Sequence, residues 1–210
     1  LLNHSKNIIG TNINRYTSTT IKRWETVISG HEFNAIAGNR KFYKFISEDR
    51  EHYDYKFPKD KVGIFEDNVP FNDKHCCKGG LHFTNDVDSH IWVKKYVREV
   101  KVLDESKVSI GFGKFKADKL YLGEERPLNE EYNKELCRYI VKRDGSNIQF
   151  IDNPSLELQL LALDDDENYI DLIEKPYITT IVTAFNKRRS RNFKRHEEIF
   201  PILLEKEPKM

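Results

Sequence analysis

At 210 residues the chain fits one large domain or two small ones, and it can bury a core without disulfide staples. Hydrophobic residues make up 38% and charged residues 33%; 35 Lys and Arg against 34 Asp and Glu leave a net charge of +1, which excludes a global attraction to nucleic acid or membranes. With 13 Phe and 10 Tyr the chain is not a disordered one.

The three cysteines, two of them adjacent (Cys76, Cys77), form no disulfide framework, so free thiols in a reducing, intracellular compartment are expected. No apolar run approaches the ~20 residues of a membrane helix, and no membrane partner is expected. The opening residues lack a basic segment followed by an apolar one, so no signal peptide is read there. Met210 is the only methionine, so the natural N-terminus is expected upstream of Leu1.

Residues 1–40 are rich in Asn, Ser, Thr and Gly and read as an N-terminal arm. Apolar residues at Ile21, Trp24, Val27 and Ile28 have helical spacing, so the arm is expected to carry one short helix over 21–28 anchored by Trp24. Residues 41–124 read as an α+β domain with a mixed or antiparallel sheet. Phe42–Ile46 is a strand candidate. Tyr53, Tyr55 and Phe57 alternate with polar residues at strand period, and Val62–Phe65 is another short strand. Leu81–Phe83 reads as a strand with His82 on the opposite face, and Asn85 or Asp86 as the cap of a helix through Val93. Tyr96–Val102 alternates most clearly. Lys107–Gly111 and Phe115–Leu122 are strands split by the turn Gly111-Phe112-Gly113.

From about 125 strand alternation gives way to helical spacing and to an internal repeat. Asn153-Pro154 aligns with Lys175-Pro176 at an offset of 22, carrying Ile148 and Ile151 onto Ile170 and Ile173 and Ala162 onto Ala184. Residues 125–210 are therefore expected to form three units of about 22 residues, each of two short helices, stacked because one unit cannot bury its apolar face alone. Ile178–Thr183 is β-branched throughout and favours a strand by propensity; the repeat register makes it a helix.

The densest chemistry lies in Phe71–Thr84. His75, Cys76, Cys77 and His82 are zinc-ligand types, but adjacent cysteines rarely converge on one ion and no second C-x-x-C pair exists. A nucleophilic cysteine needs a base, for which His75 or His82 is available. Gly79-Gly80 lacks phosphate-loop spacing and Gly111-x-Gly113 lacks the rest of a dinucleotide fingerprint, so no metal and no cofactor is expected and the glycine pair reads as a turn needing positive φ. Near the C-terminus, Lys187, Arg188, Arg189, Arg191, Lys194 and Arg195 are six cations in nine residues. They suit phosphate contacts, or the acidic turn Asp164–Glu167.

The run Cys77-Lys78-Gly79-Gly80-Leu81-His82-Phe83-Thr84, then Trp92, Tyr96-Val97-Arg98-Glu99-Val100 and Lys114-Phe115-Lys116-Ala117-Asp118-Lys119, resembles a domain of uncharacterised proteins of amoeba-infecting, mimivirus-like giant DNA viruses. The pattern there is C-x-x-G-G-L-Y-F-T, a Trp, Y-I-R-E-V and K-F-K-A-D-K, often followed by ankyrin or short helical repeats. The likeness covers about residues 41–185 and departs at His82, where the pattern has Tyr. The resemblance implies little about function; the architecture, an α+β domain followed by a helical stack with a basic segment, leads to the expectation of a structural or scaffold protein of viral type that binds other proteins, in a larger assembly, through the repeats and the basic segment. Nucleic acid held by the basic segment is an alternative partner. More loosely, the order strand, Gly79–Thr84, helix, strand is similar to ADP-ribosyltransferase-like folds, in which such a strand helps form an NAD cleft; Tyr43, His82, Thr84 and Glu99 would then line the site. The expectation is a binding protein rather than an enzyme.

Overall fold

The computed structural model describes residues 26–204 apart from Asp54 and Phe112, with backbone alone for Thr26 and 192–204. Trp24 and the rest of 21–25 lie outside the described residues. The chain divides into two compact units, the first ending at Pro127 and the second beginning at Leu128.

The first unit opens with strand β1 (Thr26–Ser29) and helix α1 (Gly30–Ala37). This corrects the described end of the helix expected over 21–28: Val27 and Ile28 pair with β8 (Lys107–Ile110), and α1 starts after them. Its start is set by Ser29, whose hydroxyl accepts the Glu32 N–H while the Glu32 carboxylate accepts the Ser29 N–H. Gly30 is required there, since a Cβ would lie 1.8 Å from the Leu103 carbonyl oxygen. Thr26–Ala37 thus belongs to the sheet unit and is not an irregular arm.

The remaining strands are β2 (Phe42–Ile46), β3 (Glu51–His52), β4 (Tyr55–Lys56), β5 (Gly63–Glu66), β6 (Leu81–Asn85), β7 (Tyr96–Val102), β9 (Phe115–Ala117), β10 (Lys119–Leu122) and β11 (Arg126–Pro127). Every pairing among the described residues is antiparallel, in the order β1-β8-β9-β6-β2-β7-β10-β5, with β11 beside the start of β7 and β3-β4 a separate hairpin. The stretch expected as one strand over Phe115–Leu122 is broken at Asp118, whose carboxylate accepts the N–H groups of Lys107 and Lys119. That corner passes the chain from β9, between β8 and β6, to β10, between β7 and β5, so the sheet must curl for the two to be joined by one residue. Inside the curl Phe33, Phe42, Phe83 and Phe115 meet with ring centroids 5.1–5.8 Å apart, in the tilted and edge-on arrangements aromatic rings prefer. The helix expected through Val93 is only a 3-10 turn, Ser89–Ile91; Asn85 Oδ1 accepts the Asp88 N–H and closes the bend before it.

The second unit is helical: α2 (Glu130–Arg143), a 3-10 helix (Gly145–Phe150), α3 (Leu156–Asp165), a second 3-10 helix (Glu167–Leu172) and α4 (Ile178–Leu204). The offset of 22 carries one 3-10 helix onto the other and Leu156 onto Ile178. Asp144 and Asp166 act alike: each ends an α-helix in extended backbone, and its side chain accepts an N–H of the following 3-10 helix. Twenty-two residues beyond Asp166 stands Arg188, which offers no acceptor, and the helix runs through it. The third unit is therefore one helix of 27 residues, not two short ones. Ile178–Thr183 is helical because neighbours fix it, not propensity: buried Gln159 accepts from Tyr177 N–H and Thr180 Oγ1–H and donates to the Pro154 and Lys175 carbonyls. No helix among the described residues is long and apolar enough to cross a membrane.

Candidate functional site

Phe71–Asn85 crosses from loop to strand. The Gly79-Gly80 turn has φ of 87° and 113°, and a Cβ on Gly79 would lie 2.1 Å from the Pro70 carbonyl oxygen. Lys116 on β9 ties this loop down, donating from Nζ to the carbonyls of Lys74, Cys77 and Lys78 at 3.0, 2.8 and 3.4 Å.

The four zinc-type residues do not converge. Cys76 and Cys77 face each other at Sγ···Sγ 3.5 Å, while His75 Nε2 lies 3.0 Å from Ser109 Oγ. His82 turns to His52, a residue the sequence did not single out. No group of three or more His, Cys, Asp or Glu among the described residues is placed to hold a metal. The Ser109 hydroxyl donates to the Asp73 carbonyl at 2.8 Å, so the His75 Nε2–H must be the donor to Ser109.

The same accounting fixes the histidine pair. His82 Nε2 lies 3.1 Å from the His75 carbonyl, which only accepts, so Nε2 carries the proton and Nδ1 accepts. His52 Nε2, 2.8 Å from His82 Nδ1, must then donate. Both rings are neutral: burial, reinforced by Lys44, pushes His52 down to about 3 and His82 down to about 2. Tyr53, at φ 53°, lays its ring against His52 with centroids 4.7 Å apart; a bulky side chain in the left-handed region is strained backbone.

Of the four residues that an NAD cleft would use, three share a row and one does not. Tyr43 pairs with Thr84 on one side and Glu99 on the other. Burial, with the Glu99 and Asp86 charges, pushes the Tyr43 hydroxyl up to about 12. The Thr84 hydroxyl is spent on the Gly113 carbonyl at 3.2 Å, and His82 has both ring nitrogens engaged inside the fold. Trp92 also bonds the Gly113 carbonyl and carries Lys114 Nζ 4.7 Å from its ring centroid.

What the sequence reading missed here is Lys44. It sits mid-strand in an apolar run and is buried. The signal was present, since a charged residue inside Phe42–Ile46 breaks the pattern of a packed strand.

In the second unit the basic segment meets the acidic turn of its own chain. Lys187 Nζ bonds the Leu163 carbonyl at 2.8 Å and Asp164 at 2.9 Å; Arg188 bonds Asp171 at 2.9 Å, and Arg191 reaches Glu167 at 3.0 Å. Between α3, the second 3-10 helix and α4 lies an open groove of about 390 Å³ lined by Leu163, Asp164, Glu167, Thr183, Lys187 and Arg191 among others. Arg189 is exposed. The side chains of Lys194 and Arg195 lie outside the described residues.

α4 also shows a row the sequence reading did not name: Ile178, Ile181, Val182 and Phe185 are 80%, 48%, 52% and 64% exposed. Compared with family models, with curated proteins and with solved structures, the chain matches none.

Proposed function

We propose that the protein is a non-enzymatic scaffold that docks a helix of a partner protein on the open face of α4. The observation that carries this is the row Ile178, Ile181, Val182 and Phe185, at i, i+3, i+4 and i+7, exposed on a helix whose other face is packed. By the offset of 22 these positions match Leu156, Gln159, Leu160 and Leu163 of α3. There Gln159 and Leu163 are buried; Gln159 bonds Tyr177 and Thr180, and the Leu163 carbonyl bonds Lys187. The equivalent face of α4 is thus the one on which a repeat stack grows. The occupant that fits is an amphipathic helix with an apolar stripe bordered by acids, matching exposed Arg189.

The pairing of Lys187, Arg188 and Arg191 with acids of their own chain favours this reading over nucleic-acid binding, which needs cations free for phosphates. The motifs at Cys77–Thr84, Tyr96–Val100 and Lys114–Lys119 support a place among giant-virus proteins, and the free thiols of Cys76, Cys77 and Cys137 support a reducing compartment.

The test is site-specific photocrosslinking in cells expressing the full chain, with the photoreactive residue at Ile181 or Phe185 and a control at exposed Lys134 on α2. A discrete partner crosslinked from α4 and absent from the control supports the proposal. Equal or absent crosslinking at both places overturns it.

A further inference from the structure

Lys44 is 5% exposed, and its cross-strand partner on β7 is Arg98, so two cations stand directly opposite one another. Such a pair destabilises a sheet unless acid intervenes. The acid at hand is already divided: Glu125 bonds Arg98 through Oε2 at 3.2 Å and Arg50 through Oε1 at 2.9 Å. Arg98 takes four further acceptors, the carbonyls of Pro58, Lys59, Lys61 and Gly123. Lys44 has none of this. Among the described residues nothing accepts a hydrogen bond from its ammonium, which lies 4.9 Å from the centroid of the Phe57 ring.

The other charged and titratable groups around it do not help. Lys114 repels it, Lys116 is committed to three loop carbonyls, and His52 and His82 are neutral. Asp67, the acid within electrostatic reach of His52, has its Oδ2 on the Gly80 N–H at 3.0 Å. Neither Lys44 nor Lys114 forms an ion pair among the described residues, although the chain carries nearly as many acids as bases. The outermost members of the cluster are half-buried His52 and Lys114 and exposed Tyr53, whose backbone is the strained one.

We propose that Lys44 anchors a binding site for a phosphate group supplied from outside the chain, with Lys114 as the second cation at its rim. Two ammonium groups without an acid partner match a dianion; a doubly charged oxyanion offers the acceptor that Lys44 lacks and adds charge neutralisation to Lys114, whose Nζ already donates to the His75 carbonyl at 3.3 Å. Burial pushes the free Lys44 amine down to about 7. An arriving anion favours the charged form, so binding near neutral pH draws a proton onto Lys44.

The test is titration calorimetry of the full chain with inorganic phosphate at constant ionic strength and pH 7.5, in two buffers of different ionisation enthalpy. Saturable binding with net proton uptake, weakened roughly tenfold or more in Lys44→Met, is expected. Amide shifts on adding phosphate to the unmodified protein should centre on Lys44, His52 and Tyr53, which decides the matter even if Lys44→Met fails to fold. No saturable binding, shifts elsewhere, or equal affinity in Lys44→Met means an adventitious ion only and overturns the site. Acetate binding as tightly as phosphate overturns the assignment to a phosphate group.

Discussion

Glu125 is a buried carboxylate shared by two guanidinium groups, and the loop carbonyls that Arg98 gathers depend on it. Removing one partner of a buried ion pair leaves an uncompensated charge, at a cost of about 3 kcal/mol or more. Glu125→Gln is therefore expected to lower the urea-unfolding free energy by about that much, whereas Glu124→Gln, whose Arg126 partner is exposed, should cost under about 1 kcal/mol. Similar losses in the two variants would contradict this assignment. The histidine pair sets a second residue-scale expectation. The folded-state pKa values of His52 and His82 lie below the ordinary imidazole value, so the unfolded chain binds more protons between about 3 and 6.5. Stability is then full above about 6.5 and falls as pH drops through that window, by at most about 1.4 kcal/mol per pH unit per histidine. His82→Gln should flatten the slope between pH 6.5 and 4.5; an unchanged slope would show that the pair does not govern acid stability. His82 was legible as a candidate because histidine and cysteine stand out in Phe71–Thr84. His52 was not, because its role depends on a contact across 30 positions of sequence that no spacing rule reports.

Strands β2, β5, β6 and β7 were readable because alternation and aromatic content report half-buried pleated surface. Val27 and Ile28 were read as helix because their spacing from Ile21 and Trp24 in the sequence fits a helical period; for α1 the capping box at Ser29 and Glu32 was the better signal. The repeat was legible where it carried chemistry. Proline positions and the Ile148 and Ile170 pair fixed the register, and register prevailed over the β-propensity of Ile178–Thr183. The length of α4 was not read, because it follows from the absence of an acid at Arg188, and a missing cap leaves no motif to find. Asp144 and Asp166 should accordingly be equivalent. Asp144→Ala and Asp166→Ala are each expected to cost about 1 kcal/mol of second-unit stability, measured by chemical denaturation. A large cost for one and none for the other would break the equivalence of the units.

As a whole, the molecule joins a curled antiparallel sheet unit to a helical-repeat unit, and each unit offers a different kind of surface. The first buries Lys44 without an ion pair among the described residues, and the second shows an apolar row on α4. Lys44 was legible as a charge inside an apolar strand, but its lack of an acid partner shows only once Glu125 is seen to be occupied, and the α4 row only once the exposure of Ile178, Ile181, Val182 and Phe185 is seen. The most direct test of the scaffold reading compares the full chain with the double variant Ile181→Asp, Phe185→Asp in affinity co-purification, at matched Tm. Both side chains are exposed, so the fold should tolerate the change. The account predicts that a defined partner co-purifies with the unmodified protein and is lost from the variant; the same partner retained by both would contradict it.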